Sequence, residues 1–504
     1  MNVIPLEDQL GPEIERLEAA DRLFSEAYPG ESVQRQPVHT SYGGAHLFKA
    51  DRAGALGEVA LRTFREYASD PFVLARTVGL PGSETLPSGA KELELLGAAF
   101  AEDPQALQQL NPAAWLACTV HQRVSRKLER EPVEDIRIDF EDGYGPRSDD
   151  EEDQHAVSAA REVAIGLEQG SLPPFLGIRI KPLNRELCRR SLRTLELFIS
   201  NLMGMTRQRL PGNFVVCLPK VLLPEQVSLL ADVMDVLERR FGLEAGSLKI
   251  ELLIENPQAI ISHDGTSRLP SFVPAGRGRC VSAHFGAYDY TAACSITSEH
   301  QKMHHAACNF AKHAMQAAYA GTGLWLADGM TNVLPVPVHR PDSTGLPLAT
   351  WQVQENMDVV HRSWRLHYQN VRQSLLDGFY QGCDVHPAQF PTRYAAVYAF
   401  FLEGMEAAGS RLRKFLAKEA QATRSGAVMD AIATGQGLLN FFLRALSCAA
   451  VTEDEAVRHS GLSMEELRSR SFRTILERRK FGTVGTGPGP RASELERIAA
   501  GPAS

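Results

Sequence analysis

Charged side chains that could do chemistry stand at the ends of short apolar segments along the middle of the chain. They are Asp139, Glu141, Asp142, Arg179, Lys181, Lys220, Glu255, Asp289 and His386. Carboxylates gathered around one rim would each cost on the order of several kcal/mol to bury without positive charge, and a divalent cation supplies that charge. The candidate metal ligands are carboxylates, with no histidine or cysteine among them. Their oxygens therefore favour Mg2+ or Mn2+ over zinc. The set therefore predicts a hard-cation site, whereas any one of these acids alone could be a solvated loop residue.

These residues lie in or just after segments that have the composition of buried strands, of which the sequence has eight. They span residues 38–42, 134–140, 175–180, 213–220, 248–255, 279–286, 323–328 and 382–386. Most are followed by a stretch of helical periodicity, and this alternation predicts an α/β fold with a parallel sheet covered on both faces. Eight repeats predict closure into a (β/α)8 TIM barrel, in which polar residues at the carboxyl ends of the strands face the active site. An open doubly wound sheet is the alternative.

The rest of the chain is predominantly helical by sequence. Residues 1–35 are expected to form an N-terminal helical segment, and residues 36–390 the barrel, with a helical insertion at about 50–133. Residues 391–480 have nearly continuous helical periodicity and predict a helical C-terminal region. Residues 481–504 are rich in Gly, Pro and Ser, which predicts a flexible tail.

Composition excludes several classes of protein. The 504 residues carry a formal net charge of -8, which gives no basic field for a phosphate backbone, so no nucleic-acid partner is expected. No apolar run reaches the length of about 18 residues that a membrane span needs, and the acidic N-terminus lacks the pattern of a signal peptide. We therefore expect a cytoplasmic protein without a membrane partner. The eight cysteines include no CxxC pair, and no GxGxxG or GxxxxGK[ST] motif indicates a nucleotide site.

Seven segments resemble, in chain order, the motifs of a known enzyme family. They are IDFEDGYG, GIRIKPLN, VVCLPKV, LLIENPQAI, HFGAYDY, LADG and CDVHPAQF, and together they cover roughly residues 36–390. The chain resembles the family of the citrate lyase beta subunit and malyl-CoA lyase, within the malate synthase-like, phosphoenolpyruvate/pyruvate-domain superfamily. The segment LKIELLIENPQAI is also similar to malate synthase. The resemblance implies the same barrel and a metal-dependent reaction of a carboxylic acid.

The resemblance also implies roles for particular residues of this sequence. Glu255 and Asp289 would be the direct metal ligands, and Glu141 and Asp142 would hold metal-bound waters. Arg179 would be the electrophilic clamp. A 2-keto acid chelated through its keto and carboxylate oxygens beside an arginine would be stabilised as an oxyanion or enolate when the adjacent carbon–carbon bond is made or broken.

Substrate binding and proton transfer involve other positions. Lys220 is expected to contact the substrate, and the backbone N–H groups of Gly286, Ala287 and Tyr288 could bind its carboxylate if they open the following helix. The resemblance assigns proton transfer to an acid of the C-terminal region, often from a neighbouring subunit, and Asp430 is the matching residue. The alternative for Asp430 is an acid that the helix macrodipole favours near a helix N-terminus.

Together these features predict a metal-dependent carbon–carbon lyase or synthase of the aldol or Claisen type. Its substrate would be a 2-keto or 2-hydroxy carboxylic acid, with an acyl-CoA thioester as one option, its cofactor Mg2+ or Mn2+, and its assembly a homo-oligomer. One alternative is a CoA-independent class II pyruvate-type aldolase with a histidine or a metal-bound water as base. The other is a non-catalytic barrel that binds a metabolite, which the intact set of Glu255, Asp289 and Arg179 argues against.

Overall fold

Eight parallel strands close into a barrel in the order in which they occur along the chain. A computed structural model of the protein describes residues 6–31, 34–341, 346–421 and 428–481. The strands are β1 (His39–Gly44), β2 (Asp135–Asp139), β3 (Phe175–Arg179), β4 (Phe214–Leu218), β5 (Lys249–Ile254), β6 (Cys280–Phe285), β7 (Trp325–Met330) and β8 (Gln381–Cys383). Because β8 pairs with β1, the sheet has no open edge. The predicted TIM barrel is confirmed, each strand overlaps a predicted segment, and an open doubly wound sheet is excluded.

The interior of the barrel combines apolar packing with an ion pair. All residues of β2, β3 and β4 are buried, as expected for a parallel sheet covered by helices. On β3, Gly177 permits close contact with β4, because a Cβ there would lie 2.4 Å from the carbonyl oxygen of Val215. The guanidinium of Arg137 on β2 donates to both carboxylate oxygens of Glu251 on β5, at 2.9 and 2.6 Å. These two strands are not neighbours, so the ion pair crosses the interior.

Helices precede the barrel and fill the connection between β1 and β2. They are α1 (Leu6–Gln9), α2 (Gly11–Ala27), α3 (Arg52–Tyr67), α4 (Pro71–Val78), α5 (Ala90–Glu102), α6 (Pro104–Leu110) and α7 (Pro112–Arg130). Three of them begin with an acid or amide followed by proline, at Asp70, Asp103 and Asn111. Each of these side chains accepts hydrogen bonds from backbone N–H groups of the first turn, which the helix itself leaves unpaired.

The remaining connections of the barrel are also helical. They contain α8 (Asp149–Gln169), α9 (Cys188–Thr206), α10 (Pro224–Phe241), α11 (Pro257–Ile260), α12 (Leu269–Ala275), α13 (Ala287–Ala293), α14 (Ala306–Tyr319) and α15 (Thr350–Leu376). A capping box starts α8, where Ser148 accepts from the backbone N–H of Glu151 and the Glu151 side chain accepts from that of Ser148. After β8 the chain continues into α16 (Phe390–Gln421).

The chain divides into two compact units, Met1–Phe400 and Phe401–Ser504. The first contains the barrel, and the second is helical. Its further helices are α17 (Val428–Ser447), α18 (Glu453–Ser460), α19 (Met464–Arg468) and α20 (Phe472–Phe481). Gly435 lets α17 meet the buried ring of Phe472 closely, because a Cβ there would lie 2.2 Å from a ring carbon. In the described part of the chain, no helix has both the length and the hydrophobicity to cross a bilayer.

Candidate active site

A cavity of about 380 Å³ lies at the carboxyl ends of the barrel strands. Its lining comes from seven of the eight strands and the loops that follow them. It consists of Tyr42, Asp139, Asp142, Gly143, Arg179, Leu253, Glu255, His284, Phe285, Gly286, Ala287, Tyr288, Asp289, Asp328, Gly329, Met330, Cys383 and Val385. TIM-barrel enzymes place their catalytic residues on this face. Asp142, Arg179, Glu255 and Asp289, which the sequence singled out from four different segments, are brought together here.

Three carboxylates converge in the cavity and form an acidic triad. Asp142 follows β2, Glu255 follows β5, and Asp289 lies in the first turn of α13, yet each offers an oxygen within 4.8 Å of the others. Glu255 is buried, Asp289 is half-buried and Asp142 is exposed. Gly286 permits this approach, because a Cβ there would lie 2.4 Å from Cγ of Glu255. A set of carboxylate oxygens is the chemistry that Mg2+ or Mn2+ prefers.

Negative charge outweighs positive charge around the triad. Burial and the nearby carboxylate of Asp289 raise the pKa of Glu255 to about 8. The Nζ of Lys220 lies 3.2 Å from Asp142 and 3.7 Å from Asp289, and it also pairs with Glu141. Lys220 and Arg179 lower the pKa of Glu255, but they do not outweigh burial and the Asp289 carboxylate. A divalent cation would offset the negative charge of the acids.

Lys220 is held in position by its backbone as well as by its side chain. Its N–H donates to Oε2 of Glu255 at 2.8 Å. It does so from a φ of 53°, a left-handed conformation that costs energy for a residue with a side chain. The loop after β4 therefore orients both Lys220 and the buried ligand candidate Glu255.

Arg179 is anchored by Asp139 where β2 and β3 end. Its Nε and Nη2 donate to the two Asp139 oxygens at 2.7 and 2.5 Å, and its Nη1 lies 3.2 Å from a carboxylate oxygen of Glu141. The guanidinium also stacks 4.7 Å from the ring centre of Tyr42. Burial lowers the pKa of Arg179, but the hydrogen bonds and charge of Asp139 outweigh it and hold that pKa well above its ordinary value. Arg179 is thus a fixed cation.

Asp139 has a positioning role that the sequence did not indicate. Besides holding Arg179, its oxygens accept from the backbone N–H groups of Glu141 at 2.9 Å and Gly143 at 2.7 Å. A Cβ at Gly143 would lie 2.5 Å from Oδ2 of Asp139, so only glycine fits this turn closely. The turn carries Asp142 into the triad. The position of Asp139 at the end of a buried strand was visible in the sequence, but its partners were not.

The loop after β2 separates Glu141 from Asp142, and the turn after β6 uses one of its predicted donors. Both acids were expected to hold metal-bound waters, but Asp142 lies in the triad, whereas Glu141 lies between Lys220 and Arg179 and pairs with both. The N–H of Gly286 donates to the carbonyl of Ile254 at 2.9 Å. This N–H is therefore used within the sheet. Of the three backbone N–H groups predicted to bind a substrate carboxylate, those of Ala287 and Tyr288 at the start of α13 are left.

Two other charged residues at strand ends have structural partners. The Nζ of Lys181 donates to the carbonyl of Phe140 at 2.7 Å and lies 2.8 Å from Glu152. The Nδ1 of His386 accepts from the backbone N–H of Ala388 at 3.2 Å and so stabilises a turn. Neither residue lines the cavity.

The predicted base, Asp430, belongs to the second compact unit. Its backbone lies in the first turn of α17, while its side chain lies outside the described residues. The assignment of proton transfer to Asp430 stays a prediction.

Comparison with known proteins identifies a family and several similar solved structures. A family model described as a domain of unknown function, DUF6986, matches residues 17–475. The sequence matches no curated protein. Similar solved structures include Haloferax volcanii malate synthase in a magnesium/glyoxylate complex, at 14% identity and a TM-score of 0.38, with 69% of this chain and 88% of that chain covered. Another is the citrate lyase beta subunit from M. tuberculosis complexed with oxaloacetate and magnesium, at 14% identity and a TM-score of 0.33, with 55% and 91% covered. At these scores the likeness carries no argument about activity.

Proposed function

We propose that this chain, which belongs to the family of the domain of unknown function DUF6986, is a divalent-metal-dependent enzyme that makes or breaks a carbon–carbon bond. The substrate class is a 2-keto or 2-hydroxy carboxylic acid, as the resemblance of the strand-end motifs to the citrate lyase beta subunit and malyl-CoA lyase family implies. The observation that carries the proposal is the convergence of Asp142, Glu255 and Asp289 beside Arg179 in one cavity.

The acidic triad would hold the cation. Glu255 is the central ligand in this proposal, because it is buried and lies against the carboxylate of Asp289, and these two causes raise its pKa. Asp142 and Asp289 supply the other oxygens. When bound, Mg2+ or Mn2+ supplies Lewis-acid stabilisation of negative charge on the keto oxygen of the substrate.

Arg179 would supply a fixed positive charge beside the reacting carbons. Asp139 holds two of its nitrogens, so the guanidinium cannot turn without losing both hydrogen bonds. Its third nitrogen, Nη1, lies beside Glu141. In this proposal a substrate oxygen binds Nη1 in competition with that carboxylate. A donor that is already in place stabilises a developing oxyanion without the cost of reorganisation.

Proton transfer at the carbon nucleophile is assigned in this proposal to Asp430. An Asp430→Asn variant should lose turnover while its Mg2+ affinity stays unchanged. The opposite pattern, turnover lost together with metal affinity, is expected for Glu255→Gln. The pair of variants separates the proton-transfer role from the ligand role, and full turnover in Asp430→Asn would require another base.

Deuterium exchange tests the reaction class before the second substrate is known. Pyruvate and, separately, acetyl-CoA would be incubated in D2O with the protein and Mg2+, and loss of the methyl proton signal followed by NMR. We expect exchange that EDTA abolishes and that added Mg2+ or Mn2+ restores. Exchange of pyruvate would favour the pyruvate-type aldolase, and exchange of acetyl-CoA the synthase direction.

The matched control for this experiment is an acid at the other end of the same strand. Glu244 is exposed and precedes β5, whereas Glu255 follows it. Glu244→Gln should exchange at the wild-type rate, and Glu255→Gln should not exchange. If neither compound exchanges in the wild-type protein, and no 2-keto or 2-hydroxy acid is cleaved or condensed with Mg2+ present, the proposal is wrong.

A further inference from the structure

The part of the cavity lining that is not acidic is largely apolar. Leu253, Phe285, Met330 and Val385 contribute to it from β5 to β8 or the loops after them, and Cys383 stands beside them. Burial raises the pKa of the Cys383 thiol to about 12, so this side chain is neutral and behaves as a small apolar group. Val385 is 39% exposed, which places it at the open side of the cavity.

Polar side chains within this region already have partners in the protein. The carboxylate of Asp328 accepts from the ammonium of Lys312 at 2.9 Å. The Nε2 of His284 lies 2.9 Å from Glu251, and the hydroxyl of Tyr288 donates to a backbone carbonyl of β7 at 3.2 Å. A buried group that is already paired binds a ligand only at the cost of an existing interaction. This side of the cavity therefore has little capacity for a charged substituent.

Positive charge is confined to the acidic side. Among the described residues that line the cavity, Arg179 is the only lysine or arginine, and Asp139 occupies two of its nitrogens. The nearby ammonium of Lys220 is taken by the acids around it. A second carboxylate at the far end of a substrate would thus meet apolar side chains without a cation, and burying it there is strongly unfavourable.

We infer that the 2-keto acid used by this site carries a single carboxylate and a short apolar chain, so the substrate class is a 2-keto monocarboxylate and not a 2-keto dicarboxylate. This inference rests on the proposed function. The keto and carboxylate oxygens occupy the acidic side near Arg179, where the cation would bind. The carbon chain lies against Phe285, Met330 and Val385, whose burial by the ligand favours methyl and methylene groups.

Calorimetric titrations with two pairs of acids of equal carbon number test this inference. In the presence of Mg2+, 2-oxobutyrate is compared with oxaloacetate, and 2-oxovalerate with 2-oxoglutarate, each corrected for titration into buffer with Mg2+ alone. We expect the monocarboxylate of each pair to bind at least about tenfold more tightly. Equal or tighter binding of the dicarboxylates would overturn the inference and leave the proposed function intact. If none of the four acids shows Mg2+-dependent binding, the inference fails, and the deuterium-exchange experiment decides whether the proposed function fails with it.

A charge placed on the apolar side gives a second test. Val385→Arg adds a cation at a partly exposed position of the cavity, and we expect the ratio of the two affinities in each pair to shift toward the dicarboxylate by about tenfold. Val385→Gln controls for polarity without charge. Val338→Arg controls for added charge elsewhere, since Val338 is 58% exposed and does not line the cavity. An unchanged ratio in folded Val385→Arg would contradict the placement of the substrate's carbon chain on this side. If that variant does not fold, the wild-type titrations decide the inference.

Discussion

The guanidinium of Arg179 donates to both carboxylate oxygens of Asp139, at 2.7 and 2.5 Å, where two neighbouring strands end. The same carboxylate accepts from the backbone N–H of Gly143 at 2.7 Å, in the turn that carries Asp142. One buried acid therefore positions both the fixed cation and one member of the acidic triad.

Asp139→Asn should weaken both parts of the site. The amide keeps the shape but replaces one acceptor by a donor, which leaves the buried Arg179 charge poorly paired. We expect a loss of about 3 kcal/mol of unfolding free energy, measured by urea denaturation, together with a fall in turnover. Glu129→Gln is the control, because its ion pair with Arg65 is exposed and should contribute less than about 1 kcal/mol. Equal stability of the two variants would contradict the role of Asp139.

Arg179→Lys should lose most turnover while the protein stays folded. A lysine ammonium cannot form the two parallel hydrogen bonds that a guanidinium forms with one carboxylate, so the replacement charge is not fixed beside the reacting carbons. We expect a fall of roughly 100-fold or more in the rate of metal-dependent exchange, with an unchanged circular dichroism spectrum. Exchange at the wild-type rate would remove Arg179 from the mechanism.

The barrel could be predicted from the sequence because most strands are short apolar runs that end in charged or polar residues. The ends of these strands also identified Arg179, Glu255 and Asp289 as cavity residues. Pairings between distant segments could not be predicted in the same way. Asp139 and Arg179 are 40 residues apart, and Arg137 and Glu251 are 114 residues apart. A strand pattern indicates which side chains are buried but not which of them meet across the barrel.

The roles of loop residues were even harder to predict from the sequence, because their side-chain directions depend on local backbone geometry. Glu141 and Asp142 are adjacent and were assigned the same role. In the structure Asp142 joins the triad, while Glu141 pairs with Lys220 and Arg179. The two N–H bonds that Asp139 accepts set this difference, and no periodicity in the sequence encodes them.

The ion pair inside the barrel should be costly to break and less costly to replace. Glu251→Gln removes one of the two buried carboxylates that pair with Arg137, the other being Asp135, and we expect a loss of about 3 kcal/mol in unfolding free energy. The triple variant Asp135→Asn, Arg137→Met, Glu251→Leu removes all three charges and should recover part of that loss. Chemical denaturation of the three proteins measures the difference. A triple variant less stable than Glu251→Gln would contradict this account.

Metal binding should depend on Glu255 and Asp289. Glu255→Gln and Asp289→Asn keep the side-chain shape but remove the charge, so each should weaken Mg2+ affinity strongly by isothermal titration calorimetry. Without metal and above about pH 8, where Glu255 is ionised, the same variants should be as stable as the wild-type protein or more stable, because facing like charges are removed. Glu244→Gln serves as the control in both measurements. Undiminished Mg2+ affinity in both variants would refute the ligand assignment.

The high pKa of Glu255 predicts how stability and metal affinity change with pH. Without metal, the folded protein holds the Glu255 proton up to about pH 8, whereas the ordinary value is 4.5. This contribution to stability is therefore complete below about pH 4.5 and is lost as the pH rises toward 8. Mg2+ affinity should change in the opposite direction, rising with pH until Glu255 is ionised at about pH 8. Urea unfolding and calorimetry in buffers between pH 5 and 9, a range that brackets this pKa, measure the unfolding free energy and the Mg2+ affinity.

The control is Glu255→Gln, because glutamine does not titrate. This variant should lose the Glu255 component of the pH dependence of stability. A slope of unfolding free energy against pH equal to that of the wild-type protein would show that another group is responsible.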